Sequence, residues 1–97
     1  MFVVFLKFTE KKPLAAAHME AHQAWLQQGF DEGAFLAAGS LEGGQGGAIL
    51  AAAQAREALE ARIAADPFVE FGVVAADITG FSLARTDPKL AFLRQAA

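Results

Sequence analysis

The sequence predicts an α+β fold of order β-α-β-β-α-β, the ferredoxin-like arrangement, with a four-stranded antiparallel sheet carrying both helices on one face. Three observations carry that prediction. Short apolar runs of strand length stand near both ends of the chain and as a pair in its middle. A helix-periodic segment follows the first run and another follows the third. A glycine-rich turn joins the two middle runs. The 97 residues leave room for one domain.

The first strand is read over Phe2 to Phe8. Its even positions Phe2, Val4, Leu6 and Phe8 are apolar, and so are Val3 and Phe5 between them. Such a strand needs cover on both faces, and one helical layer supplies only one. Pro13 suits a first helical turn, and a helix is predicted from Pro13 to Gln28 with Gly29 as its stop. At about 100° per residue, Leu14, His18, Ala21, His22, Trp25 and Leu26 share its inner face, and Ala16, Glu20, Gln23 and Gln27 the other.

The second strand is predicted from Gly33 to Leu41, the turn over Glu42 to Gly47, and the third strand over Ala48 to Ala53. Alanine prefers helix, but the flanking glycines and the short length decide for strand. Gln54 to Ala65 reads as the second helix, with Ala55, Leu59 and Ile63 facing in. Asp66 lands on that same face as Pro67 ends the pattern. Phe68 to Gly72 reads as a turn-like connector, Val73 to about Leu83 as the last strand, and Asp87 to Arg94 as a short C-terminal helix. The domain is placed at residues 1–85, with 86–97 as a tail.

The chain is 55% hydrophobic and 20% charged, which excludes disorder. Its net charge is −3, and its basic residues cluster no further than Lys11-Lys12, so neither nucleic acid nor a membrane surface is an expected partner. Cysteine is absent, which removes disulfides, thiolate metal sites and thiol nucleophiles. The Phe2–Leu6 run is too short to span a bilayer and lacks the flank of a signal peptide, so a mature cytoplasmic protein is expected. The apolar face that the helices leave bare predicts a homodimer packed through the open side of the sheet.

His22 faces inward, and an imidazole is able to take up and return a proton, which suits a general acid/base; a core histidine satisfied by a backbone carbonyl is the plain alternative. Asp66 could orient that ring, or could stabilise a turn by accepting from backbone amides, and the two roles are compatible. His18 lies one helical turn before His22, a spacing that can hold a metal; a third ligand would have to come from elsewhere, with Asp66 the best candidate, and no metal is assigned. Trp25, Phe35, Phe68 and Phe71 can wall a pocket for a planar ligand or simply pack the core. Ser40 can donate a hydrogen bond from a strand end, whereas Asp31 reads as a solvated turn residue. The glycine loop joins strand to strand, unlike a phosphate cradle, and no organic cofactor is signalled. Lys11 and Lys12 read as a solvated pair able to attract an anion.

His22 lies a fixed distance before Asp31-Glu32-Gly33 and then Phe35-Leu36, Ala38-Gly39 and, later, Ala65-Asp66-Pro67-Phe68 and Gly72. Residues 1 to 83 in this arrangement resemble the YciI-like family of YCII-related domains. The resemblance implies a ferredoxin-like domain that pairs into a dimeric α/β barrel, and an enzymatic His and Asp that fall on His22 and Asp66. A few relatives are lyases or isomerases of aromatic ring-fission products, dehydrochlorinases among them. The chain departs from the pattern at Met19, where many relatives carry Arg, and at Ser40, where Pro is usual. The expected function is a cofactor-free lyase or isomerase in which His22 and Asp66 move a proton on a small carbonyl or lactone compound, with His18, Trp25, Ser40 and Phe68 around the substrate. The alternatives are a non-catalytic dimeric module for small ligands and a metal-dependent hydrolase or carrier using His18 and His22.

Overall fold

A computed structural model describes residues 1–95. Its elements are β1 (Phe2–Phe8), α1 (Ala15–Asp31), β2 (Phe35–Leu41), β3 (Gly46–Ala51), α2 (Arg56–Ala64), α3 (Pro67–Glu70) and β4 (Val74–Gly80), followed by a 3-10 segment, Pro88–Gln95. The strands form one antiparallel sheet in the order β2-β3-β1-β4, which is the predicted ferredoxin-like topology.

Register sorts the side chains of the sheet. Val4 pairs with Ile49 and Ile78, and Leu6 pairs with Gly47 and Ala76, on the face that the helices cover. Val4, Leu6, Phe35, Ile49 and Ala51 pack there against Trp25 of α1, Leu59 and Ile63 of α2 and Phe68 of α3. Val3, Phe5 and Leu50 point the other way and stay half-buried, beside exposed Asp77 and Thr79.

The structure corrects several boundaries. Helix α1 runs through Gly29 to Asp31, because Gly29 is not a stop but a contact. A Cβ at Gly29 would lie 2.2 Å from the Phe35 ring, so only glycine lets β2 approach the helix there. The turn out of the helix belongs to Gly33, at φ 75°, whose N–H donates to the Phe30 carbonyl. Leu14 lies in a 3-10 turn, Lys12–Leu14, ahead of the helix, so its phase differs and its side chain is exposed. Ala21 is exposed as well.

The connector after α2 is a one-turn helix, α3, with Asp66 as its N-cap. Strand β4 stops at Gly80, and the C-terminal segment is 3-10 rather than α-helical. Leu93 of that segment is buried, whereas Leu90 and Phe92 are exposed. Residues 96 and 97 of the predicted tail lie outside the described residues.

Candidate active site

His22 and Asp66, separated by 44 positions in the chain, meet where α1 crosses the junction between α2 and α3. Asp66 ends one helix and starts the next. Its backbone is extended, at φ −61° and ψ 124°, and Pro67 fills the first helical position, where a missing N–H costs nothing. The Asp66 carboxylate turns back into the protein and is 0% exposed. Oδ1 accepts from Phe68 N–H at 3.0 Å and stands 2.8 Å from His22 Nδ1. The turn-capping role and the ring-orienting role of Asp66 therefore coexist on one oxygen. Oδ2 is buried without a hydrogen-bond partner among the described residues, so the imidazole is the counterpart of this carboxylate.

A carboxylate oxygen accepts, so the contact suits the tautomer with its hydrogen on Nδ1. The ring is held on its flat side as well, parallel to Phe68 within 3° at a centroid distance of 4.1 Å. Asp66 thus holds one edge of the His22 ring and Phe68 holds its plane. Nε2 bonds to no described residue and is not sealed from solvent. The His22 side chain keeps 12% of its surface exposed.

That remaining exposure faces a cavity of about 330 Å³ between α1 and the β2–β3 half of the sheet. Its walls are Leu6, Phe8, Leu26, Phe68 and Val74, with Met19, His22 and Gln23 along the helix. Its floor is built from the small residues of two paired strands. Ala38 pairs with Ile49, Gly39 with Ala48, and Ser40 with Gly47. Strand positions facing a helix ordinarily fill the gap with branched side chains. Here Ala38, Ser40 and Gly47 leave it open, and the cavity is the volume they do not occupy.

The residues singled out in the sequence divide around this cavity. His22, Phe68 and Ser40 line it. Trp25 stands behind it in the core, 5.7 Å from the His22 ring and 5.3 Å from Phe35, with Nε1 donating to the Arg62 carbonyl at 2.9 Å. His18 lies outside the lining, stacked on Phe71 at 4.3 Å, so the two histidines diverge toward different partners. Among the described residues no three His, Asp or Glu side chains gather as a metal-binding group. Gln23, assigned to the outer helix face, lines the cavity together with Met19. The small residues of the floor were legible only as strand and turn. Their one signal was low side-chain volume at alternate positions on both strands of the hairpin.

Among the described residues no helix is long and apolar enough to cross a membrane. No curated protein matches the chain in sequence. A solved structure similar to it is 5-chloro-2-hydroxyhydroquinone dehydrochlorinase from Burkholderia phenoliruptrix, in complex with 2,5-dihydroxybenzoquinone. The likeness has a TM-score of 0.73 and 16% identity, and covers 86% of this chain and 94% of that one, so it shows the shared fold. Residues 1–81 match the YCII-related domain, and the chain belongs to that family.

Proposed function

We propose that this protein is a small-molecule lyase or isomerase in which His22 and Asp66 transfer a proton on a small carbonyl or lactone compound bound in the cavity. The observation that carries the reading is the 2.8 Å contact from His22 Nδ1 to a fully buried carboxylate, with the other ring nitrogen left for a ligand. Neutral His22 takes a proton at Nε2 from the carbon beside the carbonyl. The carboxylate answers the imidazolium so formed, and the electron pair moves onto the carbonyl oxygen as an enolate. Return of the proton to another carbon completes an isomerisation. Departure of a β-substituent such as chloride, with formation of a new double bond, completes an elimination.

The fold shared with a dehydrochlorinase and the family membership support this class of reaction. Ser40 hydroxyl and Gln23 amide supply polar contacts on a mostly apolar lining, to which Phe8 and Phe68 add aromatic carbon. The working domain is residues 1–85, with 86–97 appended. Two copies pair through the open sheet face, where Val3, Phe5 and Leu50 leave apolar surface for a second sheet to cover.

Solvent-deuterium exchange tests the chemistry across candidate substrates. A panel of small unsaturated lactones and hydroxyquinones is incubated in heavy water and followed by proton NMR, with chloride release for the chlorinated members. Exchange or elimination by the wild type that disappears in His22→Ala supports the reading. Full activity in a folded His22→Ala variant contradicts it.

A further inference from the structure

We propose that Lys12 determines the specificity of this cavity: its ammonium receives the ionised oxygen of a planar ligand whose ring rests on Phe8 and Phe68 with its far edge at His22. This role rests on the cavity being the site proposed above, and adds the charge and shape of what enters it.

Lys12 belongs to the short 3-10 turn between β1 and α1. Its side chain is exposed but anchored at its end. Nζ donates to the Gly44 carbonyl at 3.1 Å and stands 5.0 Å from the centroid of the Phe8 ring. Gly44 and Phe8 both line the cavity, so the ammonium is fastened at its border, on the exposed side. Among the described residues no carboxylate pairs with it. An ammonium over an aromatic face with one carbonyl bonded keeps two N–H groups for an incoming acceptor.

The cavity itself gives that cation no competitor. Its lining contains no Asp, Glu, Lys or Arg. Asp66 is sealed behind the His22 ring and faces no ligand. The lining itself thus adds no charge, and the Lys12 ammonium attracts an anionic group to its end of the cavity.

The aromatic rings fix the rest of the ligand. From Lys12 the wall runs to Phe8, from Phe8 to Phe68 at 6.4 Å between centroids, and from Phe68 to the stacked His22 at 4.1 Å. Opposite that wall the Ala38–Ser40 and Gly46–Ala48 segments present backbone, methyl groups and the Ser40 hydroxyl. A slot with aromatic rings on one side and small residues on the other suits a flat ring better than a branched chain. The ligand class is thus a planar ring compound carrying a carboxylate, phenolate or enolate oxygen.

The test uses two probes of nearly identical shape at neutral pH, salicylate and its uncharged amide, titrated into the full chain and followed by NMR of the His22 ring protons. The wild type is expected to prefer salicylate by roughly tenfold, a preference that shrinks with added salt. Lys12→Met keeps an apolar stem over Phe8 and removes the charge. It is expected to bring the two affinities within about twofold of each other while the amide binds as before. Lys12→Arg is expected to retain the preference.

If Lys12 only pins the hairpin through Gly44, Lys12→Met weakens both probes equally, and the proposal falls. An unchanged preference in Lys12→Met also overturns it and leaves the His22 reading intact. Failure of both probes to bind the wild type at millimolar concentration overturns it too. In that last case, deuterium exchange lost in His22→Ala would still uphold the proton-transfer reading on its own.

Discussion

The His22 ring lies flat on Phe68, with centroids 4.1 Å apart, while the Phe68 N–H donates to the same Asp66 oxygen that His22 Nδ1 contacts. Phe68 therefore fixes both members of the pair, one through its ring and one through its backbone. Phe68→Ala is expected to cost about 3–5 kcal/mol of stability, as for other buried aromatics. Phe68→Leu keeps much of the volume and removes the flat support. Its expected result is a folded protein with a broadened His22 ring resonance and a reduced exchange rate, checked by denaturant melts and NMR.

In the proposed reaction Asp66 supplies charge as well as capping geometry. Asp66→Asn preserves a carbonyl that can accept from Phe68 N–H, but it cannot answer an imidazolium. We expect proton-transfer activity to fall by about two to four orders of magnitude with little change in salicylate affinity. Asp66→Ala additionally removes the cap of α3, at a cost of about 1 kcal/mol. The nitrogen-15 shifts of His22 in the two variants read out the loss of the carboxylate contact at Nδ1.

The floor of the cavity is open because its side chains are small. Ala38→Leu puts a branched side chain into that space from the helix-facing side of β2. Salicylate binding is expected to weaken by at least about tenfold, while the melting temperature holds or rises as the void fills. A variant that binds as tightly as the wild type would place the ligand elsewhere.

Two glycines of α1 and its exit separate two physical causes. Gly29→Ala would gain helix propensity of about 1 kcal/mol yet drive a methyl into the Phe35 ring, for a net loss of about 1–3 kcal/mol. Gly33→Ala meets nothing within 4 Å, and its cost, about 1–2 kcal/mol, comes from the positive φ alone. Chemical denaturation checks both. Shrinking the ring with Phe35→Leu should relieve the first loss and leave the second unchanged.

Stability on acidification has one assignable surface contribution. The Arg62 guanidinium, and then the Gln28 amide, hold the Glu32 carboxyl below its ordinary value. A group whose folded value is depressed stabilises the protein above its ordinary value and loses that contribution as pH falls through the folded one. Glu32→Gln is expected to flatten this part of the acid limb in urea melts. Added salt should shrink the difference, because the pair is exposed.

The order of strands and helices, the inward placement of His22 and Trp25 on α1 and the position of Asp66 at a helix end were all fixed by local pattern. Apolar residues repeat with the period of their element, and a Pro after Asp66 leaves few conformations. Local pattern could not distinguish a glycine that ends a helix from one that admits a neighbour, so Gly29 read as a stop until Phe35 was brought against it. It could not show that Asp66 reaches a histidine 44 positions away, that His18 leans on Phe71 instead, or that Trp25 lies behind the cavity wall. Those relations depend on where α1, α3 and the β2–β3 hairpin come to rest on one another. The cavity is the extreme case: it is an absence of side chains shared by two strands and a helix, and only their packing gives that absence a shape.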